Sequence, residues 1–237
     1  QTGRFSHSRR DSFSPVHLPT SQVDTFQSPA MYRCPQVILF DLGRVLLSFS
    51  HDQMCRQVGQ RCGVSAQEAR EVLFSQEVHL PYERGTITTQ QVVDQLQNTF
   101  NVQLNIQDLV EDLGDIFRLN ASMVPILAAL KSAGWKTGIL SNTCDAHWQV
   151  ATRKFGILQH FFDFTVTSFE AGQVKPFPEI YESAVRAADC EAKEILFVDD
   201  LLENVEGAHE AGLDAVLYAS ASNFAADLRR RGVAFNY

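Results

Sequence analysis

The 237-residue chain has no apolar run approaching the length needed to span a bilayer, so no membrane association is expected. It has no basic stripe either. Its 20 Lys and Arg stand against 28 Asp and Glu, a net charge of −8, which argues against nucleic acid as a partner. Cysteine is sparse and no Cys-x-x-Cys pair occurs. Five thiols (Cys34, Cys55, Cys62, Cys144, Cys190) are an odd number, which argues against a disulfide framework or a zinc site. They fit a reducing compartment and a cytoplasmic location. Arg9-Arg10 is followed by no apolar stretch, so an export signal of the twin-arginine kind is not read there. Residues 1–34 lack periodicity and are rich in Ser, Gln, Pro and Arg; they are expected to be a flexible leader, with Met31 a candidate natural start.

What is present begins with Val37-Ile38-Leu39-Phe40-Asp41-Leu42, followed by Gly43 and Arg44. Four consecutive apolar residues running into one carboxylate read as a strand over 36–41, buried on both faces as in a parallel sheet. A lone Asp where such a strand ends is costly unless it is paired. The carboxyl ends of strands are also where ligands bind in open α/β sheets, which makes Asp41 the leading catalytic candidate.

Residues 51–119 show only helical spacing, in segments 52–62, 66–78, 89–100 and 106–118, with Ser65 and Glu68 as a capping box. About seventy helical residues between a first and a second strand read as an inserted small domain. From 121 onward helix and strand alternate: helix 121–133, strand 135–140, helix 144–155, strand 163–167, helix 178–189, strand 194–198, helix 202–211 and strand 214–218. The expected fold is therefore α/β, a doubly wound, Rossmann-like parallel sheet. Its core spans 35–50 and 120–237, and the α-helical insertion spans 51–119.

Three strand ends carry polar groups: Asp41, Ser141-Asn142 and Asp199-Asp200. Lys175 sits in the loop Gln173-Val174-Lys175-Pro176. In a parallel sheet these groups collect on one edge. Three carboxylates in one partly buried site repel each other unless a cation joins them, and Mg2+ suits such oxygen donors. A carboxylate, a metal, a lysine and a hydroxyl together suit a dianionic phosphoryl group.

On these four motifs, in order and on the right elements, the chain resembles the haloacid dehalogenase-like hydrolase superfamily in its phosphatase branch with a helical cap. Within it, Phe40-Asp41-Leu42-Gly43, Glu83-Arg84-Gly85 and Leu140-Ser141-Asn142-Thr143 with His147 resemble the bacterial α-D-glucose-1-phosphate phosphatase group. The resemblance implies a Mg2+-dependent phosphatase acting on a small phosphorylated metabolite such as a sugar phosphate, as a monomer or homodimer. By the same resemblance Asp41 attacks phosphorus and forms an aspartyl-phosphate. Asp41, the Gly43 carbonyl and Asp200 hold Mg2+, with Asp199 completing the shell directly or through water. Ser141 and the Asn142 backbone hold phosphate oxygens, Lys175 neutralises charge, Arg84 contributes to substrate binding, and 51–119 is the cap.

Blander roles stand beside these. Ser141 could cap the next helix, Lys175 could be a solvated loop residue, and Asp199 or Asp200 could cap a helix. Asn204 could bond local backbone or support the site, and His147 fits a surface position. Glu83 and Arg84 could line the entrance or pair with each other. One feature departs from the family pattern: Gly43 replaces a second Asp that acts there as general acid and base, a contribution of about 10²–10⁴-fold. Arg44 also replaces a glycine. His51 and Asp52 are the nearest substitutes for the missing acid. Two other functions remain open: a catalytically weak relative that binds a phosphate ligand or a protein partner, and a haloacid dehalogenase.

Overall fold

The computed structural model describes residues 33–236. Most of the expected leader, with Met31 and Arg9-Arg10, lies outside them. The first strand, β1 (Val37–Phe40), is buried along its whole length. After it come β2 (Leu47–Phe49) and a helical stretch. The helices are α1 (His51–Cys62), α2 (Ala66–Leu73), α3 (His79–Glu83), α4 (Thr89–Phe100) and α5 (Ile106–Gly114). Their starts follow from side-chain caps. Ser50, Ser65, Thr88 and Asn105 each accept a backbone N–H of the first turn, and Ser65 with Glu68 closes a capping box as expected.

Two expectations about this stretch are corrected. The helix expected over 66–78 stops at Leu73, and the short α3 follows separately. The helix expected over 106–118 stops at Gly114 and gives way to a strand, β3 (Phe117–Leu119), which pairs antiparallel with β2. Three-residue strands are too short to show alternation in sequence.

The alternating half runs through α6 (Val124–Ser132), β4 (Lys136–Ser141), α7 (Asp145–Lys154) and the single turn α8 (Ile157–His160). It continues with β5 (Phe164–Thr167), the short α9 (Ser168–Ala171), α10 (Pro178–Ala188) and β6 (Ile195–Asp199). It closes with α11 (Leu202–Glu210), β7 (Asp214–Leu217) and α12 (Ala221–Arg230), the last not foreseen.

β1, β4, β5, β6 and β7 form one parallel sheet in the order β5-β4-β1-β6-β7. The doubly wound α/β fold is thus as expected. Alternate residues of the central strands serve opposite faces. Ile38, Phe40, Ile139, Leu196 and Val198 pack with Leu127, Phe224 and Leu228 from α6 and α12. Val37, Leu39, Leu140, Ile195 and Phe197 pack with Ile180, Tyr181, Ala184 and Ala208 from α10 and α11. Phe40 meets Phe162 and Phe224 edge-on at 5.7 and 5.6 Å, contacts of about 0.5–1.5 kcal/mol each. Val58, Val92, Leu96 and Leu109 of the helical stretch belong to the same buried cluster as Ile38 and Phe40. Among the described residues no helix is long and apolar enough to cross a membrane.

Candidate functional site

Asp41 directly follows β1, Ser141 ends β4, and Asp199 ends β6 with Asp200 next. The strands are parallel, so these ends share one edge. The sheet order changes direction at β1, which lies between β4 and β6, and that is where a crevice opens in doubly wound sheets. A cavity of about 390 Å3 opens there, and Asp41, Gly43, Ser141, Asn142, Lys175 and Asp200 are on its wall.

Lys175 joins the pieces. Its side chain is 1% exposed, and its ammonium donates to Asp41 Oδ1 at 2.6 Å, Asp199 Oδ2 at 2.7 Å and the Leu140 carbonyl at 3.0 Å. Three N–H groups meet three acceptors. Asn142 fixes the lysine from behind: its side-chain oxygen accepts the Lys175 N–H at 2.8 Å and its amide donates to the Lys175 carbonyl at 3.0 Å. Burial pulls the ammonium down, but Asp41 and Asp199 more than offset it, and the Lys175 pKa is raised. The solvated-loop reading of Lys175 is excluded.

Asp41 is the opposite case. Burial pushes its carboxyl up to about 7, against the pull of Lys175 and with help from Asp199 and Asp200. Asp200 is also raised, by burial and by Asp199, with Arg44 opposing at 3.3 Å. One oxygen from each of Asp41, Asp199 and Asp200 lies within 4.8 Å of the others. Three carboxylates face one buried ammonium and the exposed Arg44 guanidinium, so negative charge is in excess, and this adds to burial in raising Asp41 and Asp200. Hard oxygen donors with excess negative charge fit a divalent cation such as Mg2+.

Asp199, expected to complete the metal shell, places one oxygen in the carboxylate cluster and also holds Lys175. Oδ1 accepts from the Leu201 N–H at 2.8 Å and from Asn204 at 3.0 Å; Oδ2 accepts from Lys175 at 2.7 Å and from Asn204 at 3.1 Å. Three donor groups thus fix this carboxylate, and through it the Lys175 ammonium is oriented. Asn204 accordingly bonds the site's carboxylate. The Gly43 carbonyl accepts the Val45 N–H at 2.6 Å and keeps one lone pair for another partner.

Ser141 is buried, and its hydroxyl makes only a 3.4 Å contact with the Asn142 carbonyl. It does not cap α7, whose N-cap residue is Cys144. Arg84 is off the cavity wall. Its guanidinium lies 5.1 Å from the Phe177 ring centre, and its Nε is enclosed without a hydrogen-bond partner. Glu83 is on the wall instead. Asp52 is exposed and pairs with Arg70, away from the cavity, whereas His51 lines it. His147, expected at the surface, also lines it. Its Nε2 is enclosed without a partner, and burial, then His51 and His79, push its pKa down to about 3. Sequence reasoning missed His79 and named Thr143 only as part of a motif; both share the wall, and Thr143 Oγ1 is likewise enclosed without a partner among the described residues. His79 was four residues ahead of Glu83, a helical spacing that could have linked the two.

The pattern of the haloacid dehalogenase-like hydrolase family matches residues 36–212, and the chain belongs to that family. Rat bifunctional epoxide hydrolase 2 is 28% identical over 116 residues, 47% of this chain and 21% of that protein. The glyceraldehyde 3-phosphate phosphatase of Methanothermobacter thermautotrophicus is 38% identical over 96 residues, 40% of this chain and 42% of that protein. Both alignments cover less than half of the relative's length. Among solved structures, a HAD family enzyme of Bacteroides thetaiotaomicron, in complex with magnesium and inorganic phosphate, superposes with a TM-score of 0.70 at 22% identity. It covers 78% of this chain and 94% of that one, a likeness of fold.

Proposed function

We propose that the protein is a Mg2+-dependent phosphatase that hydrolyses a small phosphorylated metabolite through an aspartyl-phosphate on Asp41. The observation that carries this reading is the buried Asp41–Lys175–Asp199 arrangement beside Asp200, at the carboxyl edge of the sheet. Asp41 is the nucleophile. The Lys175 ammonium, charged and immobile, neutralises phosphate charge as it is transferred. Ser141 Oγ and the backbone N–H groups after it receive phosphate oxygens. Asp41, Asp200 and the Gly43 carbonyl would hold Mg2+, which supplies positive charge to the phosphoryl group when bound. Asp199 and Asn142 position Lys175. The helical segment 51–119 acts as the cap over the substrate and its leaving group.

A sugar phosphate such as glucose 1-phosphate is the proposed substrate class, supported by the Glu83-Arg84-Gly85 and Leu140-Ser141-Asn142-Thr143 stretches. The relative named for a phosphatase of a small phosphate ester agrees with the coarser class. All five cysteines are free, which supports a reducing, cytoplasmic setting. The competing reading is a phosphate-binding protein with little turnover, and Gly43 favours it.

Phosphate release from sugar phosphates and an aryl phosphate decides between them. With Mg2+ the parent chain turns over and Asp41→Asn falls to background; chelator abolishes the parent's rate. Binding of phosphate without turnover in either protein would establish the competing reading.

A further inference from the structure

Cleaving the ester of a weakly acidic alcohol requires a proton for the leaving oxygen, and hydrolysing the aspartyl-phosphate requires a base for water. The position two residues beyond Asp41 supplies neither. A Cβ at Gly43 would lie 2.9 Å from Phe49 Cε1, so an aromatic ring stands where an acidic side chain would extend. Apart from the groups already assigned, the cavity wall carries His51, His79, His147, Glu83 and Glu203. Burial holds His51 and His147 towards their neutral forms, which are poor proton donors. Glu203 is exposed. His79 stacks on Phe74 at 4.9 Å and is 41% exposed.

We infer that Glu83 is the proton carrier of the reaction, reaching the site from the helical segment in place of the acid that Gly43 lacks. The inference rests on the phosphatase reading above.

Glu83 is held rigidly. The Ser168 hydroxyl lies 2.6 Å from the Glu83 carbonyl and accepts the Thr143 N–H at 2.9 Å. This ties the end of α3 to the loop that carries Ser141 and Asn142. Gly85 completes the clamp: its φ is +66°, and a Cβ there would fall 2.1 Å from the Phe169 carbonyl oxygen. The two backbones touch, and only glycine permits it. The Glu83 carboxyl, by contrast, has no hydrogen-bond partner among the described residues. It pairs with His79 Nε2 at 3.8 Å, beyond hydrogen-bond length, so its oxygens can meet a substrate. The charged and titratable groups facing it are His79 on its own helix, Lys175 and the Cys144 thiol on the core, with His51 and His147 on the same wall. Burial pushes the Glu83 carboxyl up, and His79 and Lys175 oppose this only in part.

In the first step Asp41 Oδ forms a bond to phosphorus while the bond from phosphorus to the alcohol oxygen breaks. That oxygen takes the Glu83 proton and leaves as the alcohol. In the second step water attacks the aspartyl-phosphate and gives a proton to the Glu83 carboxylate. Phosphate leaves, Asp41 is freed and Glu83 is again protonated.

The test compares the parent, Glu83→Gln, Glu83→Asp and Asp52→Asn, each with Mg2+, on an alkyl or sugar phosphate and on p-nitrophenyl phosphate. A nitrophenolate leaving group needs no proton. Glu83→Gln should therefore lose about 10²–10⁴-fold on the alkyl ester. On the aryl ester it should release a burst of nitrophenolate stoichiometric with enzyme, followed by a slow steady state, because phosphoenzyme accumulates. Glu83→Asp should fall between Glu83→Gln and the parent, and Asp52→Asn should match the parent. Unchanged turnover in Glu83→Gln, or an equal loss on both esters with no burst, would overturn the inference. If Glu83→Gln fails to fold, Glu83→Asp decides: a parent-like response to the leaving group overturns it, and a steeper response upholds it. Failure of the phosphatase reading is distinguishable, since the parent itself would then be no more active than Asp41→Asn.

Discussion

At Lys175 one ammonium meets three acceptors in a space closed to solvent. Removing it leaves the Asp41 and Asp199 carboxylates buried without their cation, a change that typically costs about 3–5 kcal/mol. Lys175→Met should therefore be inactive and destabilised by that order in a denaturant titration at pH 8. The cost should be smaller at pH 5, where Asp41, already raised by burial, takes up a proton. A fall of equal size at both pH values would show that packing, not charge, holds the lysine. Gly43 makes a second residue-level prediction. Gly43→Asp should not raise turnover on an alkyl phosphate, because its Cβ would meet the Phe49 ring at 2.9 Å. Pairing it with Phe49→Ala should recover activity relative to Gly43→Asp alone, as measured by kcat on the same ester. Much at this scale was legible in sequence, since Asp41, Ser141, Lys175 and Asp199-Asp200 each sit at a strand end or in a loop that topology brings to one edge. The division of labour was not. Asp199 is fixed by Lys175, Asn204 and a backbone N–H, which no spacing reveals.

Among the elements, α3 is five residues long, with no side-chain cap and no room for periodicity. Sequence pattern therefore named Glu83 only as a residue that could line the entrance or pair with Arg84. Its position depends on the contact of Gly85 with Phe169 and on Ser168. Gly85→Ala should destabilise the protein by about 2 kcal/mol or more, through strained backbone and direct overlap. It should also lower kcat on an alkyl ester, because Glu83 is displaced. Ser168→Ala leaves the buried Thr143 N–H without its acceptor and should cost about 1–3 kcal/mol in thermal or denaturant unfolding. Long elements were readable because caps and apolar spacing agreed, as at Ser65–Glu68. The pair β2 and β3 and the single turns α8 and α9 were not, because three or four residues cannot display a period. His147 was misplaced for a related reason: one histidine on a helix gives no sign of which neighbour covers it.

For the molecule as a whole, the site is a place where folding works against ionisation. The Asp41 carboxyl is raised from 3.8 to about 7 by burial, so its contribution to stability is present below about pH 4 and lost as pH rises through 7. A divalent cation held by the ionised form would reverse this loss. Mg2+ at a hundredfold excess over its dissociation constant should add about 2.7 kcal/mol. The gain in Tm should be larger at pH 8 than at pH 5, and Asp41→Asn should lose most of it. The overall net charge of −8 gives no hint of this local imbalance.

Everything proposed for the site turns on Asp41 carrying the phosphoryl group. Acid quenching during turnover of a phosphate ester with Mg2+, followed by peptide mass mapping, would trap it. A phosphoryl group is expected on the peptide containing Asp41, absent with chelator and absent from Asp41→Asn. Steady turnover with an unmodified Asp41, or turnover retained in Asp41→Asn, would contradict it.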